Sequence, residues 1–273
     1  MNPTREQVDR IADLELANYT ASIAIAQVTP GLKVILEDDV IITASKAIPF
    51  PDANHACLLR ATRQTTDNLI SKIIEHFQSN NAPTTVFASP ACTPADLPER
   101  LLRRGFVEQR AKDAWLVLDL LNFKIPSLST NATIKQITQD ETLAFAQVFL
   151  TAFEMDVDFA PRTAQYIQPG TSLPTTHHYI AWLDEQAIGT YSLIRHENFG
   201  IMGSVGVLQA HRKNGIAADL ATEALTKARE HGVDTIIVQT TADTKLERLL
   251  RTRGFDRVFT RTCYILQGKA SYR

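Results

Sequence analysis

The sequence predicts an α/β chain that carries two mixed-sheet domains in tandem. Short apolar runs alternate with longer amphipathic stretches along all 273 residues, as strands alternate with helices in a mixed sheet. A motif is also repeated, because ERLLRRGF at residues 99–106 returns with one inserted residue as ERLLRTRGF at residues 247–255. Strand-like runs flank both copies in the same order. The chain is therefore expected to contain two related halves.

A largely polar connection separates the halves. Residues 122–131 contain Pro126 and read as an exposed linker of moderate length. We therefore expect one domain over residues 1–121 and a second over residues 131–273.

The first half shows helical periodicity in two places and strand-like patterns in five. The helices are predicted over residues 5–26 and 66–78. The strands are predicted over residues 32–36, 40–44, 56–59, 84–88 and 114–118. The repeated motif at 99–106 adds a short helix that ends at a glycine.

The second half continues the alternation. Strands are predicted over residues 133–137, 179–183, 187–194, 199–207, 235–240 and 262–266. Helices are predicted over residues 140–153, 162–167, 218–230 and 245–253. Leu220, Ala221, Ala224, Leu225 and Ala228 form one apolar stripe, so the helix over 218–230 is expected to pack on the sheet.

Composition excludes several classes of protein. The 28 basic and 30 acidic residues give no basic excess, which argues against a nucleic-acid partner. Cys57, Cys92 and Cys263 are odd in number and lack metal-ligand spacing, so neither a disulfide framework nor a zinc site is expected. The polar start resembles neither a signal peptide nor a membrane span. We expect a cytoplasmic protein with no membrane partner.

The most informative segment is RKNGIA at residues 212–217, between the apolar run 201–207 and the predicted helix 218–230. A strand that passes through a short basic turn directly into a helix leaves backbone N–H groups unpaired at the positive end of the helix dipole. Gly215 can adopt backbone angles closed to other residues, and Ala217 is small enough for a phosphate to approach the backbone. The segment is predicted to bind an anion the size of a pyrophosphate.

The spacing R-x-x-G-x-A after an apolar strand resembles the coenzyme A loop of the GNAT (Gcn5-related) N-acetyltransferase superfamily. The following strand, short helix and Gly254-Phe255 occur in the order typical of that family. The resemblance extends over nearly the whole chain as a tandem GNAT protein, in which each domain has a central, mostly antiparallel, twisted sheet flanked by helices. Residues 60–67, at the matching place in the first half, contain no glycine, so the N-terminal domain is expected to be a degenerate copy.

The resemblance implies an N-acetyltransferase, an acyltransferase that moves an acetyl group from acetyl-CoA to a primary amine by direct attack in the C-terminal domain. In the family, the strand before the loop pairs its backbone with the pantetheine arm and polarises the thioester carbonyl. Gly203 and Gly206 are expected to host the bulge that opens this strand, or simply to allow close packing. The cofactor-binding positions match Val205, Gly206, Val207, Arg212, Lys213, Asn214, Gly215, Ile216, Ala217 and Ala218.

The family's acid and base are both replaced in this chain. Leu250 stands where many members carry a tyrosine, and Ile201 stands where histone-acetylating members carry a glutamate. His196 and Tyr264 are the substitutes predicted as catalytic residues, because both lie on or beside strands expected to line the acceptor cleft. The competing interpretations are a surface hairpin histidine and a core aromatic. Tyr191, Glu154, Asp156 and Asp158 are further polar groups near the expected cleft.

Two other functions stay open at this point. The missing tyrosine and glutamate favour a non-catalytic acyl-CoA-binding or regulatory GNAT-like protein, and a structural pseudoenzyme with both sites dead is a third possibility. If the chain is an enzyme, its acceptor is expected to be a small-molecule or peptide amine. No metal is expected, since His177 and His178 lack a third ligand nearby. The protein is expected to be a monomer or a homodimer.

Overall fold

The computed structural model describes residues 3–46, 48 and 50–267. The helices are α1 (Arg5–Val28), α2 (Thr66–Ser79), α3 (Leu97–Arg103), α4 (Thr142–Ala152), α5 (Ala160–Ile167), α6 (Ile216–Glu230) and α7 (Lys245–Thr252). The strands are β1 (Leu32–Leu36), β2 (Ile41–Ser45), β3 (His55–Cys57), β4 (Thr85–Ala88), β5 (Phe106–Asp119), β6 (Thr133–Gln136), β7 (Thr176–Leu183), β8 (Gln186–His196), β9 (Phe199–Val207), β10 (Thr235–Thr241) and β11 (Asp256–Leu266).

Each predicted helix and strand is present, and the α/β fold class is confirmed. The largest differences in length are at β5 and β11, which begin eight and six residues before the predicted strands at 114 and 262. Most of the added β5 residues, 107–113, are exposed or half-buried polar residues, so they show no apolar alternation. Within the described residues, no helix is both long and apolar enough to cross a membrane.

The chain divides into two compact units. Unit 1 comprises residues 1–26, 31–116 and 239–273, as far as they are described, and unit 2 comprises residues 27–30 and 117–238. This division differs from the sequence halves 1–121 and 131–273, because α7 and β11 lie in the second half of the sequence but belong to unit 1. The domain boundaries predicted at residues 121 and 131 separate the two copies of the repeated motif, and these boundaries stay a prediction.

Unit 1 has a mixed sheet with the strand order β1-β2-β3-β4-β11-β5. Neighbours from β1 to β3 are antiparallel, β3 and β4 are parallel, and β4 and β11 are antiparallel. Helices α2 and α3 bury their apolar stripes against this sheet, which yields a continuous core. That core includes Ile70, Ile73, Phe77, Val86, Leu97, Leu101, Phe106 and Tyr264.

A buried arginine lies in unit 1. The side chain of Arg261 on β11 is 3% exposed and lies between the rings of Phe87 and Trp115, with its central carbon 4.6 and 4.7 Å from the two ring centroids. Aromatic faces attract a cation that has lost its water. Because the two rings cover the faces of the guanidinium, its N–H groups need hydrogen-bond acceptors in the plane of the guanidinium itself.

Four polar groups supply those partners. Arg261 donates hydrogen bonds to Asp113 (2.7 Å), the Tyr19 hydroxyl (2.8 Å), Gln239 (3.2 Å) and Glu15 (3.4 Å). Burial raises the pKa of the Glu15 carboxyl, and the charge of Arg261 opposes that rise. The four partners come from all three chain segments of unit 1. This one guanidinium therefore joins segments that are distant in sequence.

Unit 2 has the strand order β10-β9-β8-β7-β6, to which β10 contributes residues 235–238. β10 is parallel to β9, and the other neighbours are antiparallel. On one face, α6 buries Leu220, Ala224, Leu225 and Ala228, which confirms the predicted stripe apart from the half-buried Ala221. On the other face, α4 lies against the sheet, and its Ala146 and Leu150 also pack with α5.

Loss of the buried guanidinium should destabilise unit 1 strongly. Arg261→Met would leave Glu15 buried beside Asp113 without a cation, and removing one member of a buried ion pair costs about 3–5 kcal/mol. Urea unfolding followed by tryptophan fluorescence, in a Trp182→Phe background so that Trp115 alone reports, measures the effect. Arg5→Met is the control, because the exposed Arg5–Asp9 pair should contribute about 0–1 kcal/mol. Equal effects of the two substitutions would contradict this account of Arg261.

The division into units predicts how fragments behave. A fragment of residues 131–273 keeps β11 but loses its partner β4 and every acidic partner of Arg261. It should be aggregation-prone, because an unpaired strand and a buried cation are both exposed. A fragment of residues 117–238 retains the sheet, α4 and α6 of unit 2 and should be the better behaved of the two. Size-exclusion chromatography and circular dichroism compare them, and a compact 131–273 fragment would contradict the division.

Candidate functional site

The predicted anion-binding loop joins β9 to α6 within unit 2. A 3-10 turn at Gln209–His211 follows β9, and α6 begins at Ile216. Gly215 is the N-cap with φ +84°, and Lys213 also has a positive φ of +70°. Residues 212–215 are exposed. No side chain caps the helix, so its first turn is available to a ligand.

Five consecutive backbone donors are unused in this loop. Across the described part of the chain, no acceptor lies within hydrogen-bond distance of the N–H groups of residues 213–217. The first helical bonds run from the N–H groups of Ala218 and Asp219 to the carbonyl of Gly215, at 2.9 and 3.1 Å. The donors lie at the positive end of a 15-residue helix. This arrangement suits a diphosphate.

The strand before the loop has one unpaired edge. The β9–β10 ladder ends at the pair Met202–Val238, and among the described strands residues 203–207 pair with β8 alone. Backbone groups on the other edge of 203–207 therefore stay available to an extended ligand. That is the arrangement that the sequence resemblance predicts for the pantetheine arm.

The predicted bulge lies in this stretch of β9. Thr190 pairs with Gly206 and Ser192 pairs with Gly203, so two residues of β9 stand opposite Tyr191 alone. The residue with positive φ is Ser204, at +53°, and its carbonyl accepts a 2.9 Å hydrogen bond from the Thr190 hydroxyl. The bulge thus forms between the two glycines, and its left-handed residue is a serine because Thr190 holds it there.

The two glycines have different roles. A Cβ at residue 206 would lie 2.8 Å from Cβ of Ala152 and 3.0 Å from Cε2 of Phe153, whereas a Cβ at residue 203 would meet nothing within 4 Å. Gly206 therefore allows the C-terminal end of α4 to approach the bulge. Close packing, the competing interpretation of these glycines, holds for Gly206.

Arg212 bonds with the protein itself. Its guanidinium donates to the carbonyls of Val207 (3.1 Å) and Ala152 (2.7 Å) and lies 3.4 Å from the Glu154 carboxylate. The carbonyl of Ala152 belongs to the negative end of the α4 dipole, which favours a cation. Arg212 therefore fastens the loop to the end of β9 and to α4. The carbonyl of Val207 is already occupied, and the cofactor-binding roles of Val207 and Arg212 stay predictions.

The matching loop of unit 1 satisfies part of its own backbone. The N–H groups of Thr62 and Thr65 bond to each other's hydroxyls at 3.1 and 3.3 Å, and the N–H of Thr66 bonds to the carbonyl of Thr62. Beside the end of β3, the Thr93 N–H donates to the Leu59 carbonyl at 2.8 Å. These contacts use the N–H groups of residues 62, 65 and 66, so they divide the free donors of this loop into two pairs, at residues 63–64 and 67–68, within the described residues.

The predicted catalytic residues lie apart from the loop of unit 2 or outside that unit. His196 pairs with Phe199 at the β8–β9 hairpin, about 20 Å along the strand from Val205. Tyr264 is 4% exposed in the core of unit 1, where burial and Glu108 raise its pKa to about 12. The catalytic roles of both residues stay predictions that these positions do not support.

Two other candidates lie at the bulge. Glu154, next to Phe153 at the end of α4, is exposed and paired with Arg212. Tyr191, opposite the bulge, is fully buried and stacks on Tyr179 with ring centroids 4.4 Å apart. Burial raises the pKa of Tyr191, which disfavours its use as a base. Glu154 is therefore the better placed acid–base group.

The adjacent histidines of β7 point to opposite faces of the sheet. His178 bonds with the Ser192 hydroxyl at 2.7 Å, whereas His177 stacks on His231 with ring centroids 4.8 Å apart. Among the described residues, no three His, Cys, Asp or Glu side chains are grouped closely enough to hold a metal ion.

Sequence reasoning missed one charged residue beside the loop. Asp219 lies in the first turn of α6, is 2% exposed, and accepts hydrogen bonds from residues 129 and 130 of the connection. An acidic residue in a first helical turn is common, so only the tertiary partners distinguish this one.

Comparisons with known proteins agree with this geometry. Residues 140–255 match the family model described as "Acetyltransferase (GNAT) family". No curated protein sequence matches the chain.

Solved structures match over nearly the full length. A GCN5-related N-acetyltransferase from Kribbella flavida has a TM-score of 0.72 at 14% identity, over 94% of this chain and 95% of that one. A tandem GNAT protein from the clavulanic acid biosynthesis pathway has a TM-score of 0.63 at 14% identity, over 97% and 96%. A GCN5-related N-acetyltransferase from Sphaerobacter thermophilus has a TM-score of 0.61 at 15% identity, over 98% and 96%.

At such low identity the solved structures define the fold, and the family model covers the segment that contains β9, the loop and α6. Residues 140–255 therefore form a GNAT acetyltransferase domain, and the chain has the fold of GNAT proteins, tandem members included.

Proposed function

We propose that the protein is an N-acetyltransferase that moves an acetyl group from acetyl-CoA to a primary amine. The observation that carries this proposal is the run of five unused N–H groups at residues 213–217, next to the unpaired edge of residues 203–207. Together they offer a diphosphate site followed by a strand edge for the pantetheine arm. The acceptor is a small-molecule or peptide amine.

The chemistry needs placement more than it needs a nucleophilic side chain. The amine nitrogen attacks the thioester carbon, the C–N bond forms, the C–S bond breaks, and the thiolate takes up a proton. Backbone donors on the unpaired edge of β9 stabilise the negative charge that develops on the carbonyl oxygen. Glu154, exposed beside the bulge, is our candidate base: it would take a proton from the ammonium form of the acceptor, whose nitrogen can attack only as the free amine.

A non-catalytic acyl-CoA-binding or regulatory role is the second candidate. Two observations favour it: Leu250 and Ile201 occupy the family's acid and base positions, and His196 lies far along the strand from the bulge. Such a protein would bind acetyl-CoA through the same backbone donors without turning it over.

Calorimetry with CoA, followed by thioester turnover with a panel of amines, tests both candidates. We expect one CoA to bind per chain, because the loop of unit 1 bonds to itself through Thr62, Thr65 and Thr66. Polyamines, aminoglycosides, amino acids and peptides form the panel, and release of free thiol reports turnover. Binding without turnover would favour the second candidate, two equivalent sites would contradict the asymmetry, and no binding would contradict both candidates.

Substitution of Gly215 should weaken CoA binding selectively. In Gly215→Ala, the new Cβ would lie 3.0 Å from Cγ2 of Thr130 at a φ of +84°, so the loop must shift. We expect the Kd for CoA to rise about tenfold or more, since displaced amides lose charge-assisted hydrogen bonds.

The matched control is Gly232→Ala at the other end of α6. Gly232 has a similar φ of +76°, and its new Cβ would meet nothing within 4 Å. Both substitutions should lower the stability by about 1–2 kcal/mol through the left-handed backbone. Only Gly215→Ala should change the CoA affinity, and equal affinities of the two variants would show that the loop is merely a helix start.

A further inference from the structure

Asp219 fixes the connection between the sequence halves at the N-terminal end of α6. Its carboxylate accepts hydrogen bonds from the N–H of Ser129 (2.8 Å), the hydroxyl of Ser129 (2.9 Å) and the N–H of Thr130 (2.8 Å). Burial alone would raise the pKa of Asp219, but the hydrogen bonds from Thr130 and Ser129 lower it below its usual value. The carboxylate is therefore charged at neutral pH and holds residues 129 and 130 firmly.

The same connection is held at the other end of α6. Arg229 donates to the carbonyls of Leu120 (2.7 Å) and Phe123 (2.5 Å). Between these two attachments, residues 124–128 are exposed or half-buried, and no hydrogen bond to them is found within the described residues. The connection is thus a strap along α6 with two attachment points.

The strap touches the anion-binding loop. A Cβ at residue 215 would lie 3.0 Å from Cγ2 of Thr130 and 3.3 Å from Oγ of Ser129, so both residues pack against Gly215. Glycine is required there for its φ and also because the strap approaches its backbone closely. The loop therefore has protein packed behind the residue that begins the helix.

Asp219 does not use its carboxylate on its own helix. An acidic side chain in a first turn can bond to the free N–H groups there, which would compete with a bound anion. Here the three hydrogen bonds of the Asp219 carboxylate go to the strap, and the N–H groups of 213–217 stay unused within the described residues.

We propose that Asp219 is a positioning residue for the coenzyme: it holds residues 129 and 130 against Gly215, so that the loop keeps its amides arranged for the diphosphate. This inference rests on the proposed function of the loop. The strap then forms one wall of the coenzyme site. Because Asp219 holds the strap in one conformation before the coenzyme binds, the affinity for the coenzyme is higher.

Simple electrostatics makes the opposite prediction. A carboxylate in the first turn of α6 repels a diphosphate bound there, so its neutralisation should strengthen CoA binding. If Asp219 acts by positioning, neutralisation should instead weaken binding. The direction of the change therefore separates the two effects.

The experiment compares Asp219→Asn with Glu223→Gln in the full-length protein. Both remove one negative charge from α6, but the Glu223 carboxylate lies 3.8 Å from Lys227, and no hydrogen bond from Glu223 to the strap is found among the described residues. We expect the Kd for CoA, measured by calorimetry, to rise about tenfold in Asp219→Asn and to stay within about twofold in Glu223→Gln. Amide hydrogen exchange at residues 127–131 should accelerate in Asp219→Asn alone. Unchanged or tighter CoA binding, or unchanged exchange, would overturn the proposal.

Two further measurements distinguish a failed positioning role from a misfolded variant and from a wrong proposed function. Ser129→Ala removes one of the three hydrogen bonds and keeps the charge, so its Kd for CoA should rise about threefold even if Asp219→Asn does not fold. With any amine that is acetylated, the KM for acetyl-CoA should rise in these variants while kcat at saturation holds. A wild-type protein that does not bind CoA would refute the proposed function and this role together, whereas wild-type binding that Ser129→Ala leaves unchanged would refute the positioning role alone.

Discussion

Unit 1 depends on one buried guanidinium. Arg261 lies between two aromatic rings and bonds to groups from each of the three chain segments that make up the unit. A buried arginine is tolerated only while its acidic partners stay in place, because each unpaired charge would carry its full desolvation penalty. The segment that contains α7 and β11 therefore belongs to unit 1, although it ends the half of the sequence that carries the loop at residues 212–217.

The two strand-loop-helix segments differ in how many of their backbone N–H groups have acceptors within the protein. Buried or constrained N–H groups need acceptors, and a chain can supply them itself or leave them to a ligand. Near α2, threonine hydroxyls and the carbonyl of Thr62 supply acceptors to the N–H groups of residues 62, 65 and 66. Near α6, Gly215 and Lys213 adopt positive φ, and the donors of residues 213–217 have no acceptor among the described residues. The same order of elements thus leaves five consecutive free donors near α6 and only separate pairs near α2.

The charged side chains of Arg212 and Asp219 beside the α6 loop bond to other parts of the protein, so the free hydrogen-bond donors of the loop are backbone N–H groups. Arg212 bonds to carbonyls of β9 and α4, and Asp219 bonds to the strap. Both charges are used in fixed hydrogen bonds, so the loop is held from two sides before any ligand arrives. A preorganised set of donors needs little rearrangement when a ligand binds, and this small cost favours a high affinity.

The amino-acid sequence by itself determined the elements and the loop, because periodicity, glycine position and helix-start chemistry are local properties: β9, α6 and the helix-Gly-Phe ending all occur where their patterns place them. Tertiary structure alone decided what the side chains contact. It turned Arg212 toward Ala152, buried Asp219 against Ser129 and gathered β11 into unit 1. Those outcomes depend on partners that lie tens to hundreds of residues away, and no local pattern encodes a hydrogen bond across such a separation.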